Sequence, residues 1–192
     1  MGYCISVEDM NQVLAEWSKE NEIYAPKLFP GSGTFSETDI IQYGKIKEIG
    51  EIVFDQKSNY SFKEVLLPLS QTLFYFTEDE VKESNPPKKG GVIFLRSCDL
   101  HAVKRLDEVY LKNGYQDYYY KRLRDNVKFI LIGCSKSFDH CFCVDMKTNR
   151  SDNYDAYIEV KEDKIYIDNH NALWDKLFSS YSAEDVHVEP SY

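Results

Sequence analysis

The sequence predicts an α/β fold: a central sheet built around a parallel βαβ unit, with an antiparallel hairpin and flanking helices. Three observations carry that prediction. Two short apolar runs, residues 92–95 and 127–132, have the unalternating character of strands buried on both faces. Between them Leu100, Val103, Leu106, Val109 and Tyr110 recur at helical spacing. Further on, residues 157–160 and 164–167 alternate around a polar turn at 161–163, the pattern of a hairpin. Strand, helix and parallel strand together imply a right-handed crossover.

Taken in order, the chain begins with an amphipathic helix over residues 6–19. Ser6 is its expected N-cap, Asp9 falls in its first turn, and Val7, Met10, Val13, Leu14 and Trp17 share one face. Gly2 and Ser6 also satisfy the short N-myristoylation pattern, but capping explains Ser6 without a lipid. A Pro-Gly-Ser-Gly run at 30–33 marks a loop. Residues 51–54, 65–67 and 72–76 are β-branched or aromatic and read as strands, with Pro68 bending or ending one of them. Residues 84–91 are the clearest breaker. Asp99 is the expected cap of the helix after the first buried strand. A short helix over 172–181 closes the fold, and no internal repeat is visible.

Composition narrows the function. The chain has 192 residues, 43% hydrophobic and 29% charged, an ordinary balance for one globular domain. Its net charge of −9 argues against duplex nucleic acid or an anionic membrane as the main partner, since either demands a basic footprint. No stretch is long and apolar enough to span a bilayer, and the start lacks the pattern of a signal peptide. The expected location is the cytoplasm. The sequons at Asn59 and Asn149 then carry no weight. The basic run 121–124 has two readings, a solvated helix face and a site for an acidic partner.

The cysteines are the most informative residues. Cys98, Cys134, Cys141 and Cys143 lie close together in sequence, while Cys4 stands apart. In a reducing compartment such grouping suggests metal binding or catalysis before disulfides. Cys98 follows the first buried strand and Cys134 the second. If those strands are parallel neighbours, both cysteines lie at the carboxyl edge of the sheet, where α/β folds place ligands. Cys141 and Cys143 are within easy loop reach of the same edge.

Four thiolates suit an iron–sulfur cluster, or, as a lesser alternative, zinc. The spacing has neither the paired knuckles of structural zinc nor a bacterial ferredoxin run. Inert buried thiols and thiol catalysis remain open, the latter needing His101 or His140 as a base. Arg96 and Asp99 flank Cys98. They read either as tuning groups or as a surface charge and a helix cap. No phosphate-binding glycine loop, dinucleotide fingerprint or HExxH motif is present.

Several blocks resemble a known family. Ser70-Gln71-Thr72-Leu73-Phe74-Tyr75-Phe76, the Arg96-Ser97-Cys98-Asp99 block with Ala102 and Arg105-Leu106-Asp107, and the run from Cys141-Phe142-Cys143 to Asn149 are similar to the electron-transfer subunit of anaerobic sulfite reductases. Sulfhydrogenase beta subunits look similar over the same blocks, and the likeness extends to Tyr24-Ala25-Pro26 and Gly33-Thr34-Phe35-Ser36. The resemblance implies an electron relay that works with two other subunits, one flavin- and NADH-linked and one carrying sirohaem, and that is not catalytic by itself. It implies a single N-terminal domain over residues 1–192, without the ferredoxin-like region that follows in the family.

On this reading the cluster, 4Fe-4S in preference to 2Fe-2S, is held by Cys98, Cys134, Cys141 and Cys143. The competing expectation is a docking module without a cofactor, whose cysteines are structural.

Overall fold

The structure, a computed structural model, describes residues 2–35, 37–134, 136–182 and 186–190. Ser36, part of one resemblance block, lies outside the described residues. The strands are β1 (Gly2–Ser6), β2 (Asn21–Phe29), β3 (Ile40–Lys45), β4 (Phe74–Phe76), β5 (Val81–Glu83), β6 (Gly90–Leu95), β7 (Val127–Ile132), β8 (Ala156–Lys161) and β9 (Lys164–Asn169). The helices are α1 (Val7–Glu20), α2 (Lys63–Leu66), α3 (Ser97–Leu111), α4 (Tyr118–Arg124) and α5 (Ala172–Ser179). Seven strands form one sheet in the order β1-β9-β8-β7-β6-β2-β3, and β4 with β5 forms a separate hairpin. The pairs β2–β6, β6–β7 and β7–β8 are parallel, whereas β3 and β9 run against them.

Alternation along the central strands divides the interior into two layers. Val92, Phe94, Ile130, Ile132 and Ile158 face one side, where Met10, Val13, Leu14 and Trp17 of α1 and Trp174 and Phe178 of α5 cover them. Ile93, Leu95, Phe129, Leu131 and Tyr157 face the other, under Phe62 and Leu66, Leu100 and Val103 of α3, and Tyr120 of α4. With both faces covered, no strand in the middle can show polar alternation, which is why β6 and β7 read as continuous apolar runs.

The βαβ expectation holds: β6 and β7 are parallel neighbours, in register from Gly91 opposite Val127 to Leu95 opposite Leu131. The first helix begins as its cap requires. Asp9 N–H donates to Ser6 Oγ at 3.0 Å, and the Asp9 carboxylate returns to the Ser6 N–H, a closed capping box. The terminal hairpin turns through Glu162 and Asp163, with Glu162 in the left-handed region. It joins the main sheet because β8 pairs with β7.

Several expected strands are corrected. Residues 51–54 form no strand; a 3-10 turn over Ile49–Glu51 is followed by a single bridge from Ile52 to Lys27. Residues 65–67 fall on or just after α2, whose Leu66 is buried against the sheet beside Phe62. Both runs are apolar because Ile52 and Leu66 are buried, in the two separate core layers, and burial outside a ladder gives no period of two.

The strands β1, β2, β3 and β5 were not expected. β2 contains Pro26, which argues against a central strand. The parallel pairing with β6 stops at Tyr24, two residues before the proline, so its missing N–H disturbs nothing on that side. Asp99 is not the cap of α3 either. Arg96 occupies that position with no side-chain capping bond. Among the described residues no helix is long and apolar enough to cross a membrane.

Candidate functional site

Leu95 and Leu131 end the parallel register at the same level, and the chain leaves both strands there. From β6 it turns through Arg96 directly into α3, placing Cys98 in the first helical turn. From β7 it passes Gly133 to Cys134 and enters a long connection that returns to β8. That connection carries Cys141 and Cys143. It is pinned back to the sheet at its far end, where Asp155 N–H donates to the Phe129 carbonyl and Phe129 N–H to the Asp155 carboxylate, each at 2.8 Å.

Hydrogen bonds fold the connection over the edge. Ser97 Oγ donates to the Thr148 carbonyl at 3.0 Å, and His101 Nε2 lies 2.7 Å from the Arg150 carbonyl. Thr148 N–H closes on the Cys143 carbonyl at 2.8 Å, and Cys141 N–H on the Phe138 carbonyl at 3.1 Å. His140 adopts a left-handed backbone, which reverses the chain immediately before Cys141. His101 therefore clamps the loop through its contact with the Arg150 carbonyl.

These constraints leave a cavity of about 210 Å3 at the carboxyl edge, lined by Cys98, Cys134, Cys141 and Cys143 together with Leu131 and Phe138. All four are free and half-buried. Cys4 is elsewhere, in β1 opposite Tyr166 of β9. Burial pushes the Cys98 thiol up to about 12, and the Asp99 carboxylate and hydrogen-bonded Cys143 add to the shift. Asp99 is itself raised by burial, against a 3.1 Å hydrogen bond from Tyr43. Among the described residues no three His, Cys, Asp or Glu side chains are placed to hold one metal ion.

Arg96, which could be taken for a surface charge, is only 5% exposed. Its guanidinium donates to the carbonyls of Phe54, Gln56 and Gly133 and, at 3.4 Å, to Cys134 Sγ, while stacking 4.6 Å from the centre of the Phe138 ring. The sequence signal for this role is an arginine at a helix N-cap, where Ser, Thr, Asp or Asn is favoured. The basic run on α4 is used internally: Arg122 pairs with Glu83, Arg124 with Asp107 and Lys121 with Asp125.

The fold and this edge define a class, an α/β domain that gathers four thiols where parallel strands end. No protein-family model matches the chain, and no solved structure matches it. Among curated proteins it is similar to sulfhydrogenase 2 subunit beta of Pyrococcus furiosus, 26% identical over 174 residues that cover 75% of this chain and 52% of the relative. The relationship is distant, and the chain spans about half the length of that relative.

Proposed function

We propose that the chain is a domain of an electron-transfer subunit in a multi-subunit oxidoreductase, with one iron–sulfur cluster held by Cys98, Cys134, Cys141 and Cys143. The observation that carries this reading is the convergence of four thiols from two strand ends and one loop on a single cavity. The similarity to a sulfhydrogenase beta subunit supports the oxidoreductase class.

The donor set of four cysteine sulfurs is one that iron–sulfur clusters and tetrahedral zinc both use, and the resemblance to electron-transfer subunits favours the cluster. The cavity, at about 210 Å3, has room for several water volumes, given a share of about 30 Å3 per molecule in the liquid. A bound cluster would accept and release single electrons. The protein's own part is to hold the thiols, to keep Leu131 and Phe138 as an apolar wall, and to place Arg96 beside one sulfur. Phe142, Val144 and Met146, all exposed on the cysteine loop, form the apolar surface beside the cavity that a redox partner would meet.

Within that class we assign the chain to an anaerobic sulfite reductase in the cytoplasm, whose flavin- and NADH-linked and sirohaem subunits are its partners. The support is the pattern of Arg96-Ser97-Cys98-Asp99 followed by Cys141-Phe142-Cys143. Anaerobically purified protein should be brown and should bleach on reduction, and by itself it should not reduce sulfite with NADH. A colourless, iron-free protein that still binds its partner subunits would favour the second reading, a docking module with structural cysteines. The observation on its side is that, although the four thiols line one cavity, no three ligating side chains among the described residues are placed to hold a metal ion.

A further inference from the structure

We infer that Arg96 is a buried counter-cation beside the thiol cavity, fixing Cys134 in place and raising the reduction potential of a cluster held there. The inference rests on the cluster reading above. It starts from an imbalance of charge. Arg96 is 5% exposed, yet among the described residues no carboxylate forms a salt bridge with it. Arg122 and Arg124 are both paired with acids, so the chain does not lack the means.

The hydrogen-bonding capacity of Arg96 is met by neutral groups instead. One nitrogen donates to the Phe54 and Gln56 carbonyls at 2.8 and 3.0 Å, and the other to the Gly133 carbonyl and Cys134 Sγ at 3.3 and 3.4 Å. Carbonyls satisfy donors but do not neutralise a buried charge, which is costly to leave uncompensated. The Asp99 carboxylate accepts from the Arg96 backbone N–H and attracts the guanidinium through its charge, but makes no salt bridge with it. The helix also gives up its N-cap bond to place arginine here.

Thiolates gathered on an iron–sulfur cluster would add negative charge directly beside the guanidinium, which already donates to one of the four sulfurs. Reduction adds one electron from the external donor and breaks no bond. The added negative charge meets a fixed positive one and a fixed N–H donor, so the reduced form gains more from Arg96 than the oxidised form. The stacking on Phe138 and the two carbonyls at 54 and 56 hold the fork rigid, so the interaction is present before any electron arrives.

The test uses the anaerobically purified holoprotein, titrated with dithionite and followed by electron paramagnetic resonance, in wild type, Arg96→Lys and Arg96→Gln. Iron content is measured on each sample. The expected midpoint potentials fall in the order wild type, Arg96→Lys, Arg96→Gln, because lysine keeps the charge but not the fork. Where Arg96→Gln does not fold, Arg96→Lys decides: a more negative midpoint than wild type supports the inference and an equal one overturns it. An unchanged potential in Arg96→Gln at normal iron content overturns the inference and leaves the cluster standing. Wild-type protein without iron overturns both.

Discussion

Ser97 Oγ donates to the Thr148 carbonyl at 3.0 Å and so ties the first turn of α3 to the loop that carries Cys141 and Cys143. Ser97 is buried, and the bond joins two segments far apart in sequence. Ser97→Ala should cost about 1 kcal/mol in chemical denaturation, the usual net worth of such a bond. It should also speed loss of the proposed cluster in air, because the loop bearing two of the proposed ligands loses one of its ties to α3. Unchanged retention of iron would show that the His101 contact with the Arg150 carbonyl suffices to hold the loop.

The ligand set predicts an asymmetry among the five cysteines. Cys98→Ser and Cys143→Ser should abolish or convert the cluster, read as iron per chain and as the spectrum of the reduced protein. Cys4→Ser should leave both unchanged, because Cys4 sits in β1 and does not line the cavity. Normal iron in Cys98→Ser and Cys143→Ser would refute the set.

What the sequence disclosed follows from where each signal arises. The strands β6 and β7 are buried on both faces, so their apolar runs identified them, and their parallel pairing brought Cys98 and Cys134 to one edge. The strands β2 and β3 were hidden because Pro26 and Gly44 weaken the strand pattern, while long-range pairing supplies what local propensity does not. The cysteine cavity was legible in outline, from strand ends and loop reach. Its clamps were not. Ser97, His101 and Arg96 act through carbonyls and a sulfur far along the chain, and a hydrogen bond to a distant carbonyl leaves no mark in local sequence.

The aromatic cluster under α1 and α5 should dominate stability. Phe178 is fully buried, with Trp17, Trp174 and Tyr3 rings around it at 5.9, 6.4 and 5.5 Å. Phe178→Ala should cost about 3–5 kcal/mol, the range for deleting a buried phenylalanine ring. Urea denaturation monitored by tryptophan fluorescence measures it. A loss near the level of a surface substitution would mean that the two helices repack.

Cys98 gives the apoprotein a pH dependence of known sign. Its thiol is pushed up to about 12 by burial, Asp99 and Cys143, against about 8.5 for an unfolded cysteine. The folded state thus holds this proton more tightly. The resulting stability is fully present below about pH 8.5 and is lost as pH rises toward the folded value. Denaturant midpoints at about pH 8 and about pH 10 should therefore fall further apart in wild type than in Cys98→Ala, with the tyrosines common to both. Equal separations would show that the thiol is not held in the buried, acid-flanked setting described.

The central claim is that the four thiols at the carboxyl edge bind an iron–sulfur cluster. Quantifying iron and acid-labile sulfide in protein purified without oxygen tests it most directly. The account predicts both elements in near-equal amounts, several atoms of each per chain, and their loss together in Cys98→Ser. Protein that contains neither, or one zinc per chain with no sulfide, would contradict it.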